Sequence, residues 1–95
     1  MADPLFGAVK VQVFGRVQGV GFRYAARKRA LDLKLTGWVR NEDDGSVSVY
    51  GEGPTAVLEE YTRWLESGPP GAFVSEIKKR YLTPQGTYRS FSIDF

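Results

Sequence analysis

The residues best placed to do chemistry lie in one stretch, Gly15-Arg16-Val17-Gln18-Gly19-Val20-Gly21-Phe22-Arg23. It follows an alternating run, Val9-Lys10-Val11-Gln12-Val13-Phe14, and precedes a run with helical spacing that begins at Phe22. Glycines on a strand-to-helix turn let backbone N–H groups converge on one point, because no Cβ blocks the approach. The start of a helix adds unpaired N–H groups and the positive end of the dipole. Together these make an anion seat, and phosphate is the usual anion. Arg23 stands in the first helical turn, where a cation opposes the dipole by ~0.3–1 kcal/mol, and no acidic residue follows until Asp32. A bound dianion would offset that clash. A tight turn carrying a solvated arginine fits the same spacing. The pattern is not a Walker loop, since no Gly-Lys-Ser/Thr follows, and its glycine spacing differs from the dinucleotide fingerprint.

What the chain lacks narrows the chemistry further. It has no histidine and no cysteine, which excludes a typical zinc site, a histidine-based triad, a thiol nucleophile and a disulfide framework. Any catalysis must come from Arg, Lys, Asp, Glu, Tyr, Ser, Thr, Asn, Gln or the backbone. Ninety-five residues with 42% hydrophobic content make one globular domain with one modest core. A net charge of +2 is mildly basic and does not by itself imply nucleic acid. No apolar run approaches the ~20 residues that span a bilayer, and Met1-Ala2-Asp3-Pro4 lacks the basic start of a secretory signal. A soluble cytoplasmic protein is the expectation.

The elements that must position the glycine stretch follow from periodicity. Met1 to Gly7 read as a loose leader ahead of a single domain over residues 8–95. A first strand spans about Ala8 to Phe14, with Val9, Val11 and Val13 on one face. A first helix from about Phe22 to Leu33 aligns Phe22, Ala26, Ala30 and Leu33 in one stripe, which turns Arg27, Lys28 and Arg29 away from it. A second strand runs from Leu35 to Asn41. Glu42-Asp43-Asp44-Gly45 is a hairpin turn, and Ser46 to Tyr50 is the return strand. The three acids at that tip fix too few oxygens for a calcium loop. Gly51-Glu52-Gly53 reads as a connection, with Pro54 in the first helical position. Val57, Leu58, Tyr61, Trp64 and Leu65 form the stripe of a second helix, which Gly68-Pro69-Pro70-Gly71 ends. A fourth strand lies between Val74 and Leu82, with Ile77 and Tyr81 inward and Lys78, Lys79 and Arg80 suited to a sheet edge. Phe91, Ile93 and Phe95 alternate as a short last strand. The order β-α-β-β-α-β predicts an α+β sandwich of the ferredoxin-like type, an antiparallel sheet of strand order 4-1-3-2 with two helices on one face. Periodicity does not place the last strand.

At this point two motifs resemble a known family. Gly15-Arg16-Val17-Gln18-Gly19-Val20-Gly21-Phe22-Arg23-Tyr24 resembles the first signature of the acylphosphatases. Gly37-Trp38-Val39-Arg40-Asn41-Glu42-Asp43-Asp44-Gly45-Ser46-Val47 resembles the second. Phe91-Ser92-Ile93 and the length agree with the small, microbial type. Gly21 departs from the bulkier residue common at its position in vertebrate members, and Glu42 occupies a variable one. The resemblance implies an enzyme that hydrolyses acyl phosphates, mixed anhydrides of a carboxylic acid and phosphate, to a carboxylate and inorganic phosphate. It implies that Arg23 binds the phosphoryl group and that Asn41 orients the attacking water. The backbone amides of Arg16, Val17, Gln18, Gly19, Val20, Gly21 and Phe22 would hold the phosphate oxygens. No metal, cofactor or covalent phosphoenzyme is implied. The expected partners are a small acyl-phosphate substrate and inorganic phosphate, with no nucleic acid or membrane, acting on a monomer.

Two other readings of the residues remain open at this stage. Phe14 and Tyr50 could share the open face of the sheet and stack RNA bases, although Ser46 to Gly51 lacks the paired aromatics of an RNA-recognition motif. A regulatory domain binding a phosphorylated metabolite without turnover is the other, as in hydrogenase maturation proteins, whose much longer chains carry zinc-finger motifs absent here. Asn41, for its part, also fits as a hairpin-entry residue.

Overall fold

A computed structural model describes residues 5–95. In chain order the elements are β1 (Phe6–Arg16), α1 (Phe22–Asp32), β2 (Thr36–Asn41), β3 (Val47–Pro54), α2 (Thr55–Ser67), β4 (Phe73–Leu82) and β5 (Phe91–Ile93). The strands form one sheet in the order β4-β1-β3-β2-β5, so the expected 4-1-3-2 core is present. β3 pairs antiparallel with both β1 and β2. Those two strands therefore run parallel to one another and end at the same rim. β5, unplaced by periodicity, adds in parallel beyond β2, Gly37 opposite Phe91 and Val39 opposite Ile93.

The sheet buries Val9, Val11, Val13, Val39, Val47 and Val49 against Phe22, Ala26 and Ala30 of α1 and Leu58, Tyr61 and Leu65 of α2. This is the alternation of β1 and β3 meeting the two helical stripes. Tyr61 is fully buried, and its hydroxyl donates to the Ala26 carbonyl oxygen at 2.8 Å, which ties α2 to α1. Burial pushes that hydroxyl's pKa far above the usual tyrosine value.

Several expectations change. β1 begins at Phe6, so Phe6 and Gly7 pair with Pro54 and Gly53, while the Leu5 carbonyl accepts from the Thr55 N–H. Met1 to Pro4 of the expected leader lie outside the described residues. Gly51, Glu52 and Gly53 are strand rather than connection, and Pro54 caps α2 from outside instead of entering it. Tyr81 pairs with Val9 on the helix side of the sheet yet stays 47% exposed, because the helices leave that edge uncovered. The last strand ends at Ile93, so Phe95 lies beyond it, 86% exposed. Of the basic run on α1, Lys28 is solvated beside Asp32, but Arg27 donates to the Phe91 carbonyl and Arg29 pairs with Glu60 at 2.9 Å.

The face of the sheet away from the helices is partly covered by residues 83–90, which cross from β4 to β5. Glu52, buried and unpaired in charge, anchors that crossing. Its carboxylate accepts from the Tyr50 hydroxyl at 2.6 Å and the Gln85 N–H at 2.7 Å, and from the Gly86 N–H at 3.3 Å. Tyr50 stacks on Trp38, with ring centroids 6.0 Å apart, and lies under Tyr88 at 5.4 Å. Its pKa is pushed up to about 12, first by burial and then by the bond to Glu52. Lys78 sits 5.5 Å over the Phe14 ring.

Candidate active site

The rim where β1 and β2 end brings together the loop of residues 17–21, the first turn of α1 and Asn41. Gly15 does not belong to this loop. It sits inside β1 at a register shift against β4, with φ 126°, and a Cβ there would meet the Phe73 carbonyl oxygen at 2.1 Å. The first glycine of the stretch thus serves strand packing. From below, Val17, 2% exposed, and Val20 pack on the core and fix the loop's height. Gly21 is the residue before the helix, in the left-handed conformation at φ 75° and ψ 18°. A Cβ at Gly21 would meet nothing within 4 Å, so the backbone angle alone requires glycine.

α1 starts without help from its own chain. No side chain caps it, and its first turn holds no acid. The first-turn N–H groups therefore keep their hydrogen-bonding capacity and their share of the dipole for a ligand. Arg23 is half-buried in that turn and makes no ion pair among the described residues. Its guanidinium carbon lies 5.1 Å from the centre of the Phe95 ring.

Asn41 closes β2, opposite Val47. Its side-chain carbonyl oxygen, Oδ1, is buried and has no hydrogen-bond partner among the described residues. An unpaired buried acceptor costs ~1–3 kcal/mol. Asn41 shares a hollow of about 210 Å³ with Val17, Gly19, Gly21, Phe22, Arg23 and Tyr24. Larger hollows, of about 340, 410 and 450 Å³, open on the outer sheet face and are lined by other side chains.

Three residues of the expected set do not line the small hollow. Arg16 is exposed at the end of β1, opposite Phe73. Val20 faces the core. Gln18 points its amide at the β2–β3 hairpin, where Nε2 donates to the Glu42 carbonyl at 2.8 Å and the Ser46 carbonyl at 2.9 Å. One side chain thus bolts the glycine loop to the residue after Asn41. Tyr24, 63% exposed, lines the hollow although sequence reasoning gave it no role. Its position next to Arg23 was the available signal.

Charges around the rim are mostly settled among themselves. Arg40 pairs with Glu42 at 2.9 Å and with Asp94 at 3.5 Å, and its guanidinium lies over the Trp38 ring. The Ser48 hydroxyl, together with Arg40, holds the Glu42 carboxyl below the usual glutamate range. At the hairpin tip, Asp44 accepts from the Ser46 N–H and hydroxyl, which lowers its pKa as well. Two of the three carboxylates of the acidic tip, those of Glu42 and Asp44, are thus engaged by neighbouring side chains and backbone. Arg23 is the cation these pairs leave free at the hollow.

The sequence profile of the acylphosphatase family matches residues 9–93. The chain belongs to the acylphosphatase family. It is 47% identical to an acylphosphatase of Trichormus variabilis over 94 residues, covering 97% of this chain and 92% of that one. The acylphosphatase of Syntrophotalea carbinolica is 45% identical, with 92% and 95% covered. Among solved structures, the acylphosphatase of Bacillus subtilis superposes with a TM-score of 0.90 at 37% identity, covering 94% of this chain and 99% of that one. Acylphosphatases hydrolyse acyl phosphates, and this chain is such a hydrolase in family and in fold. No helix is long and apolar enough to cross a membrane among the described residues.

Proposed function

We propose that the hollow at the β1/β2 rim is the active site, with Arg23 and the loop amides gripping the phosphoryl group of a small acyl phosphate and Asn41 aiming the attacking water. Asn41, which lines the same hollow as Arg23 and the uncapped start of α1 and whose Oδ1 has no hydrogen-bond partner among the described residues, carries this reading. The Asn41 amide oxygen accepts a hydrogen bond from a water and turns that water's lone pair toward phosphorus.

The reaction suits the groups present. The P–O bond to the acyl oxygen breaks as the bond from water to phosphorus forms, and the carboxylate leaves with the bonding pair. Because that leaving group is good, the loose transition state needs positioning and charge stabilisation more than a strong base. The planar guanidinium of Arg23 matches two phosphate oxygens at once. Preorganised N–H groups at the helix start stabilise the transferring group without solvent reorganisation. Asn41 cannot take up the water's proton, so the proton passes to a phosphate oxygen of the substrate. A chain without histidine can run this chemistry. The products are a carboxylate and inorganic phosphate, and the protein works as a monomer in the cytoplasm.

The test follows hydrolysis of a small aromatic acyl phosphate by absorbance, with a chelator present. Turnover survives the chelator. Asn41→Ala lowers kcat by about 10²-fold or more, the scale of one lost transition-state contact, while inorganic phosphate still protects the variant from thermal unfolding. Arg23→Gln loses both rate and phosphate binding. Near-full kcat in Asn41→Ala would remove the water-orienting role.

A further inference from the structure

The outer face of the sheet carries positive charge that the reaction does not use. Lys10 of β1 stands directly opposite Arg80 of β4, and Gln12 opposite Lys78. These positions alternate with the buried Val9, Val11 and Val13, so they point outward. Directly opposite side chains lie ~4.5–5.5 Å apart at Cβ and diagonal ones ~7–8 Å. Lys10, Lys78 and Arg80 therefore form a triangle of neighbouring strand positions, and with Gln12 and Lys79 they line a hollow of about 340 Å³, the Lys78 ammonium lying 5.5 Å over the adjacent Phe14 ring.

Like charges directly opposite destabilise a strand pair, and no ion pair among the described residues neutralises this one. The four ion pairs among the described residues use Lys28, Arg29 and Arg40, none of the triangle. The nearest acids, Glu42, Asp43 and Asp44, border a neighbouring hollow that Lys10 and Gln12 also line. Of these, Glu42 is paired with Arg40 and bonded by Ser48, with Lys10 adding to its field, and Asp44 is bonded by Ser46. Glu76, exposed on β4 opposite Phe14, is in none of the ion pairs among the described residues. Protection of the sheet edge accounts for charge on β4, the outermost strand. It does not account for Lys10, because β1 is hydrogen-bonded on both sides. A carboxylate at that position would have paired with Arg80.

We propose that this hollow binds a small polyanion carrying at least two phosphate groups, at a site separate from the Arg23 hollow. Three cations exceed the charge of ~−1.5 to −2 on a single phosphate group, and two groups can reach all three side chains. A nucleic-acid strand fits less well, since no aromatic side chain lines this hollow for a base to stack on. The inference does not depend on the roles proposed for Arg23 and Asn41.

The experiment uses inorganic pyrophosphate, inorganic phosphate and a short single-stranded oligonucleotide as probes of the full chain. Backbone amide NMR shifts and calorimetry are the readouts. Pyrophosphate shifts the amides of Lys10, Gln12 and Lys78 to Arg80, and does so equally in Arg23→Gln. Inorganic phosphate alone binds there more weakly. The triple variant Lys10→Gln/Lys78→Gln/Arg80→Gln binds pyrophosphate at this site about tenfold more weakly, with acyl phosphate turnover within about twofold of the parent, since none of the three lines the Arg23 hollow. Lys10→Gln alone gives a smaller loss in the same direction and covers failure of the triple variant to fold. Pyrophosphate shifts confined to residues 17–23, or equal affinity in parent and triple variant, overturn the proposal. Tighter binding of the oligonucleotide than of pyrophosphate, lost in the triple variant, overturns the small-ligand assignment in favour of nucleic acid.

Discussion

Gln18→Ala separates a tether from a mere hydrogen bond. The Gln18 amide gives two bonds, at 2.8 Å and 2.9 Å, to carbonyls on either side of the hairpin tip. Each bond of this kind is worth ~0.5–1.5 kcal/mol net, or about 1–3 kcal/mol together. The lower part of that range applies here. The Ser46 carbonyl keeps its bond from the Glu42 N–H, and the Glu42 carbonyl keeps its bond from the Gly45 N–H, so neither is orphaned. A loss of about 1–2 kcal/mol lowers Tm by roughly 4–15 °C in a domain of this size. The effect on rate is the sharper readout. Without the tether, the glycine loop and Asn41 no longer share one frame, and a displacement of about 1 Å is enough to cost ~10²-fold. The expected result is kcat down by about 10–100-fold with KM and the inhibition constant of inorganic phosphate changed much less, because Arg23 and the amides still hold the ground state. Steady-state hydrolysis well below the variant's Tm, with urea unfolding alongside, measures both. Gln18→Glu keeps the shape but loses the donor, and should match the alanine variant. If either variant is destabilised as expected yet retains kcat within twofold, the side chain stabilises the fold without aligning the site.

Three further outcomes follow from particular contacts. Gly21→Ala has room for its methyl group but must hold φ near 75°, so denaturant titration should show a loss of about 1–2 kcal/mol, the cost of a left-handed non-glycine residue. Glu52→Gln places an amide where the Tyr50 hydroxyl and the Gln85 and Gly86 N–H groups all donate. Amide exchange at Gln85 and Gly86 should then accelerate by at least tenfold, while β1 amides stay protected if the sheet is intact. Glu42 sits below its unfolded value of ~4.3, held there by the Ser48 hydroxyl and Arg40. Its contribution to stability is thus present above that pH and is lost as pH falls through the lower folded value. Glu42→Gln should flatten this part of the acid limb in urea midpoints measured against pH, and an unchanged limb would assign the dependence to other carboxylates.

Sequence by itself determined the order of elements, the apolar faces of β1, α1 and α2, and the identity of the two stretches that meet at the rim. These are local properties. Valines at every second residue, or Phe22, Ala26 and Ala30 at helical spacing, declare which side of an element is apolar whatever it packs against. Only the tertiary structure decided which polar groups meet. Gln18 finds Glu42 and Ser46 because β1 and β2 both pair with β3 and end at one rim. Gly15 belongs to the packing against β4, and Glu52 anchors residues 83–90, through registers set by long-range pairing. Tyr81 fits the inward alternation and still lies exposed, since period two names a face and not whether a helix covers it. The partnerless oxygen of Asn41 could not be read from its neighbours in the chain either. An acceptor's lack of a partner is a property of the whole enclosure that removes it from water, and residues from the β1–α1 loop, the start of α1 and the end of β2 meet there.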